Sequence, residues 1–302
     1  MRIEMKRSAK PRHLYREVNG LEMHYREAGV PDSTAVLLLH GFPASSHSFR
    51  EVLPRVGEHA YVVAPDLPGS GLSAAPPLDE YDYTFEEQSR AVEALAKELG
   101  IERYVLYFTD FGTPVAYQLA MRDPDRVLGL VVQNGNAHDD GLGEGWDVSR
   151  RYWAEPTEEH KAALPDWFNF AETREQYLGG LAPPLRDLHP RDAWHLDWVR
   201  LARPGLEEIQ FQLFYDYRNH VARFPDIADY HDRHQPPCLI VWGRHDPFFE
   251  IDEVMAYHRR MRTLDVHLFD GGHFLLETHA AEVSDLLITF VGDVRDRAGA
   301  VR

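Results

Sequence analysis

The chain has a single cysteine, Cys238, so no internal disulfide can form and the fold must be held by its core. Cys238 lies in the apolar run PCLIVWG, which suits a small buried core residue rather than a reactive thiol. Long apolar runs are also missing, and nothing approaches the ~20 residues of a membrane-spanning helix. The N-terminal MRIEMKRSAK is charged but lacks the apolar stretch of a secretory signal. Both absences predict a cytoplasmic protein that does not enter a membrane. Positive charge is scarce, with 32 Lys and Arg against 49 Asp and Glu and a net charge of −17 at pH 7. Such a surface repels nucleic acid and anionic lipid and favours solubility. The composition suits an acidic monomer and a homodimer equally.

A chain of 302 residues with 44% hydrophobic content can bury a large core as one domain with an insertion. HLYREVNGLEMHYREAG reads as two strands joined at Asn19-Gly20, the dipeptide that most readily supplies the positive φ angles of a tight hairpin turn. TAVLLLHG and AYVVAPD are short, nearly unbroken apolar runs of the kind found in strands buried on both faces of a parallel sheet, and RYVLYF, RVLGLVVQN, PCLIVWG and LDVHLFD continue the strands. TFEEQSRAVEALAKEL has helical spacing, an N-cap in Thr84 with Glu87 three residues on, and a stop at Gly100. Strand, helix and strand in alternation predict a doubly wound α/β sheet.

That alternation breaks once. From 137 to 234 the strand signal gives way to aromatic-rich helical pieces interrupted by prolines. The expected organisation is therefore a core in two parts, 1–136 and 235–302, with a helical lid at 137–234 over the carboxyl ends of the strands.

In VLYFTDFGTPVAYQLA a strand ends, Asp110 follows at the turn, Gly112 comes two residues later and a helix begins. An acid there is either a nucleophile on a strained strand-to-helix turn or a helix N-cap, and the stretch alone leaves both open. Phe108 stands where such turns commonly have a small residue. Elsewhere, LLLHGFPASS ends a strand at His40-Gly41 and turns through Phe42, whose backbone N–H can point at the site. VWGRHDPFF places Asp246 after a strand, and LFDGGHFLLETH places His273 after the next. Ser70, in LPGSGLS, only superficially resembles a nucleophile turn, because Pro68 replaces its first glycine and no helix follows. HDRH at 231–234 has no paired metal-ligand spacing, so neither metal nor cofactor is expected.

Taken together, HGFP, DLPGSGLS, GRHDPF and GGHFLLETH make the chain similar to the α/β-hydrolase superfamily over about two-thirds of its length. Its aspartate at the nucleophile position resembles the branch of epoxide hydrolases and haloalkane dehalogenases. A carboxylate attacks an sp³ carbon and leaves an alkyl ester, whereas attack on an amide or ester would give a mixed anhydride. The resemblance implies Asp110 as nucleophile, His273 as base, Asp246 as its orienting acid, and the N–H groups of Phe42 and Phe111 as the oxyanion hole. Tyr217-Arg218-Asn219 is similar to the segment bearing a lid tyrosine in epoxide hydrolases, which implies Tyr217 as the acid for ring opening, with Tyr215 as the alternative. A second lid tyrosine has two candidates, Tyr152 and Tyr177, and Trp153 joins Tyr152 and Tyr215 as a substrate-binding candidate. Dehalogenases fit less closely: asparagine after His-Gly and tryptophan after the nucleophile are common there, and this chain has Phe42 and Phe111, although Phe111 also departs from the tryptophan common in epoxide hydrolases and the lid tryptophans Trp146, Trp153, Trp167, Trp194 and Trp198 offer halide donors. The implied reaction is hydrolysis of a small apolar or aromatic epoxide to a vicinal diol, with water as the only co-substrate.

Overall fold

The computed structural model describes residues 10–31 and 33–300, so most of the charged N-terminal decapeptide lies outside it. Eight strands form one sheet: β1 (Arg12–Val18), β2 (Leu21–Ala28), β3 (Ala35–Leu39), β4 (Tyr61–Pro65), β5 (Tyr104–Thr109), β6 (Val127–Gln133), β7 (Cys238–Gly243) and β8 (Leu264–Phe269). Their spatial order is β1-β2-β4-β3-β5-β6-β7-β8. β1 and β2 are antiparallel, as are β2 and β4, and every other neighbouring pair is parallel. The β1–β2 hairpin turns at Asn19 (φ 51°) and Gly20 (φ 80°), the left-handed pair its sequence predicts.

The two-residue period of a strand divides the core into two faces. On one, Val36, Leu38, Val105, Tyr107 and Val131 pack with Val283 and Leu287 of the C-terminal helix, Leu276–Ala300. On the other, Leu37, Leu106, Phe108 and Leu130 pack with the helices Phe85–Glu98 and Gly112–Arg122. The first of those helices is capped by Thr84, whose Oγ1 accepts from the Glu87 N–H at 3.1 Å. Phe108 faces this second layer, edge-on to Tyr117, so strand alternation turns its bulk away from the turn that follows.

Between β6 and β7 the described residues contain helices and no strand. The longest helix of this insertion, Leu206–Ala222, contributes Gln210 and Phe214 to a cavity above the strand ends, and helix Phe170–Leu178 contributes Gln176. Among the described residues no helix is long and apolar enough to cross a membrane.

Candidate active site

Asp110 follows β5 directly and has φ 47°, a left-handed conformation that costs a residue with a Cβ free energy and is uncommon outside glycine. Two glycines allow the turn to seat so closely. A Cβ at Gly112 would lie 2.4 Å from the Leu39 carbonyl oxygen, and one at Gly41 would lie 2.3 Å from Asp110 Oδ1. The Asp110 N–H donates to the Asn134 carbonyl at 3.0 Å, anchoring the turn to the end of β6.

The carboxylate has one restrained oxygen. Asp110 Oδ1 accepts from the Phe42 N–H at 2.6 Å and from the Phe111 N–H at 2.5 Å. Oδ2 stands 3.9 Å from His273 Nε2, and His273 Nδ1 lies 2.8 Å from Asp246 Oδ2. The other Asp246 oxygen accepts from the N–H groups of Phe248 and Phe249 at 2.7 and 3.2 Å, and the Phe249 ring stacks on His273 at 5.4 Å. With Asp246 on Nδ1, the proton belongs on that nitrogen and Nε2 is left to accept one. The loops carrying Asp246 and His273 meet where a Cβ on Gly243 would come within 2.1 Å of the Gly272 carbonyl oxygen.

Electrostatics divide the two titrating groups. Burial alone would lower the His273 pKa, but the charge and hydrogen bond of Asp246, with the charge of Asp110, carry it above its ordinary 6.5. Burial raises the Asp110 pKa, opposed by His273 and the two backbone N–H groups.

A cavity of about 320 Å³ opens over Asp110, walled by Phe42, Phe111, Trp146, Trp167, Phe168 and Phe214. Gln176, Gln210, Ser149 and Glu250 interrupt this aromatic lining. Gln210 is committed elsewhere, its amide donating to the Gly69 carbonyl at 2.8 Å.

The lid residues read from the sequence lie away from that wall. Tyr217 is fully buried behind it, 5.7 Å from the Phe111 ring and stacked on Trp146 at 5.2 Å, and its hydroxyl has no hydrogen-bond partner among the described residues. Burial, then the nearby Asp110 charge, holds that hydroxyl protonated well beyond the ordinary tyrosine range. Tyr152 and Tyr215 pack on each other at 5.5 Å, and Arg218 sits 3.6 Å over the Tyr215 ring. The Trp153 indole N–H donates to the Phe214 carbonyl at 3.2 Å, which ties it into helix packing. Tyr177 donates to Asp197 at 2.5 Å, and its ring lies flat on Phe274 at 3.7 Å. Of the cavity residues, Trp146 and Trp167 are among the lid tryptophans the sequence offers as donors, whereas Phe168, Gln176 and Phe214 carry no sequence signal, because aromatics occur on every side of these helices and no period marks an inward face. Among the described residues no cluster of three or more His, Cys, Asp or Glu side chains could hold a metal.

A mostly parallel eight-stranded sheet with an acid after β5, a second acid after β7 and a histidine after β8 defines an α/β hydrolase. The family profile of the α/β hydrolase fold matches residues 34–280, and the chain belongs to that family. Among its relatives is an uncharacterized hydrolase of Saccharomyces cerevisiae, YNR064C, 33% identical over 93% of this chain and 97% of that one. A haloalkane dehalogenase of Psychrobacter cryohalolentis is 31% identical over 92% and 89% of the two chains. Epoxide hydrolase 3 of Xenopus tropicalis is 27% identical over 90% and 75%. Family and relatives make the protein a hydrolase.

Proposed function

We propose that the protein hydrolyses epoxides to vicinal diols through an alkyl ester on Asp110. The observation carrying this reading is the asymmetry of the Asp110 carboxylate, with Oδ1 held by two backbone N–H groups and Oδ2 unbound. In the first step Oδ2 bonds to an epoxide carbon, the carbon–oxygen bond of the ring breaks, and the ring oxygen leaves as an alkoxide that takes a proton. Tyr217 is the assigned donor. Its unpartnered hydroxyl and its contact with Phe111 and Trp146, both cavity-wall residues, support the role, and delivery requires those rings to part. In the second step His273 takes a proton from water, the water oxygen bonds to Cγ of Asp110, and the charge that develops falls on Oδ1 between the same N–H groups.

A second reading, release of halide from an alkyl halide, is favoured by Trp167. Trp146 gives its indole N–H to the Phe248 carbonyl at 2.9 Å, so Trp167 is the cavity-wall indole without a recorded acceptor among the described residues. The His273→Gln variant, treated with styrene oxide and with 1-bromobutane, separates the two by intact mass and peptide mapping. A gain on Asp110 equal to the whole epoxide is expected. A butyl gain with no epoxide adduct would make the protein a dehalogenase, and adducts from neither, with an inert parent enzyme, would overturn the Asp110 ester itself.

A further inference from the structure

Asp110 stands between two separate spaces. In front is the aromatic cavity already described. Behind it is a pocket of about 20 Å³ that shares only Asp110 and Phe42 with the front cavity. A space holding one water needs ~10–15 Å³ and two to four polar partners. The rear pocket meets both conditions: besides Asp110 and His273 it is lined by Ser48, Thr109, Gln133 and Glu277. Ser48 is half-buried, whereas Thr109, Gln133, His273 and the Glu277 side chain are buried, so Ser48 marks the end of the pocket nearest solvent and Asp110 the other.

The pocket's inner polar walls are held by other residues. Gln133 accepts from the Tyr107 hydroxyl at 2.5 Å and donates to the His273 carbonyl at 3.3 Å, so it tethers the histidine's backbone. Both Glu277 oxygens are taken by Arg50, at 2.9 and 2.5 Å, which keeps that carboxylate from moving towards Asp110.

We infer that the rear pocket is the site of the hydrolytic water, supplied from solvent past Ser48 and not through the substrate cavity. This rests on the Asp110 ester reading above and extends it. Once an alkyl group is attached to Oδ2, that group occupies the front cavity beside Asp110, and the cavity is lined mainly by aromatic rings that offer water few partners. The rear pocket remains beside both His273 and Asp110. Water there gives one proton to His273 Nε2 as its oxygen bonds to Cγ. The tetrahedral intermediate collapses by breaking the bond from Cγ to the alkyl-bearing oxygen, that oxygen takes the proton from His273, and the alcohol leaves. The net change is ester plus water to carboxylate, alcohol and one proton released to solvent. Ser48 and Thr109 are positioning residues for that water.

Filling the rear pocket therefore slows loss of the ester without slowing its formation. Two variants, Ser48→Met and Thr109→Ile, are mixed with styrene oxide or 1-bromobutane, quenched at intervals and followed by intact mass. The rise of the adduct is expected to match the parent enzyme, which also shows that the variant is folded, while its decay slows at least ~10-fold. Narrowing the front cavity by Ser149→Met is expected to do the reverse. If both filled variants lose the ester at the parent rate, the water comes from elsewhere and the inference is overturned. If no ester appears on Asp110 with either reagent, even in His273→Gln, the ester reading has failed first and takes the inference with it.

Discussion

At the scale of single residues, the proposed mechanism requires Asp110 to be held nearly still. Asp110→Ala is expected to abolish turnover, and diol formation at the parent rate would remove Asp110 from the mechanism. Gly41→Ala tests the same point indirectly, since its Cβ would fall 2.6 Å from Asp110 Cγ and the carboxylate would have to swing off its two N–H donors. The rate of ester formation should fall by ~10²-fold or more, a loss comparable to removing an oxyanion donor, with little change in fold. On the proposed mechanism His273 sets the pH dependence. It works as a base only when neutral, and in the ester Asp110 carries no charge, so Asp246 is the group that raises its pKa against burial, and ester hydrolysis should be lost as pH falls through that pKa. Asp246→Asn removes this raising influence and leaves burial unopposed. The acid limb should therefore move to lower pH, read from the decay of the ester across a pH series.

At the scale of elements, the strand ends and the insertion differ in how much the sequence disclosed. Strands β3 to β7 were legible because each is a short apolar run, whereas β8 is an exposed edge strand with Asp265 and His267 in it; the turns bearing Asp110, Asp246 and His273 lie just past β5, β7 and β8. The Phe108 misfit was legible only as a departure, since its resolution depends on which sheet face a strand residue occupies. The insertion was legible as an interruption, but its inward faces were not, and the tyrosines chosen from it pack behind or beside the cavity wall. Tyr217→Phe should slow ring opening by ~10²-fold if its hydroxyl is the main acid, while decay of the ester is unchanged. A ring-opening rate equal to the parent's would move that role to a donor already at the wall, such as Trp167 or Gln176. A less obvious element contact joins β6 to β7. Asn134, at φ 36° and fully buried, donates to the Gly243 carbonyl at 3.1 Å and accepts the Gly243 N–H at 2.9 Å. Asn134→Ala removes the side-chain partner of the buried Gly243 N–H, while the Gly243 carbonyl keeps the Asp246 N–H at 3.2 Å, and should cost about 1–3 kcal/mol, measured by denaturant unfolding.

At the scale of the whole molecule, charge selects among substrates before any contact is made. A net charge of −17, with Glu250 at the cavity wall, disfavours an anionic substrate. For an epoxide bearing a carboxylate, kcat/KM should rise as salt is added, because screening removes the repulsion; for its neutral amide it should stay nearly flat. Equal salt responses for the two would show that the field at the cavity mouth is not set by the global charge.

The lone thiol offers a different kind of opportunity. Cys238 lies in β7, 1% exposed, where burial pushes its pKa far above the ordinary range. Thiolate, the form that reacts, is therefore almost absent from the folded protein. The native chain is in effect blank to maleimides and disulfide reagents, so its slow labelling would time global opening of the sheet. A cysteine placed by design on the insertion could then carry a fluorophore without first removing the natural one, leaving the core untouched while movement over the cavity is watched directly.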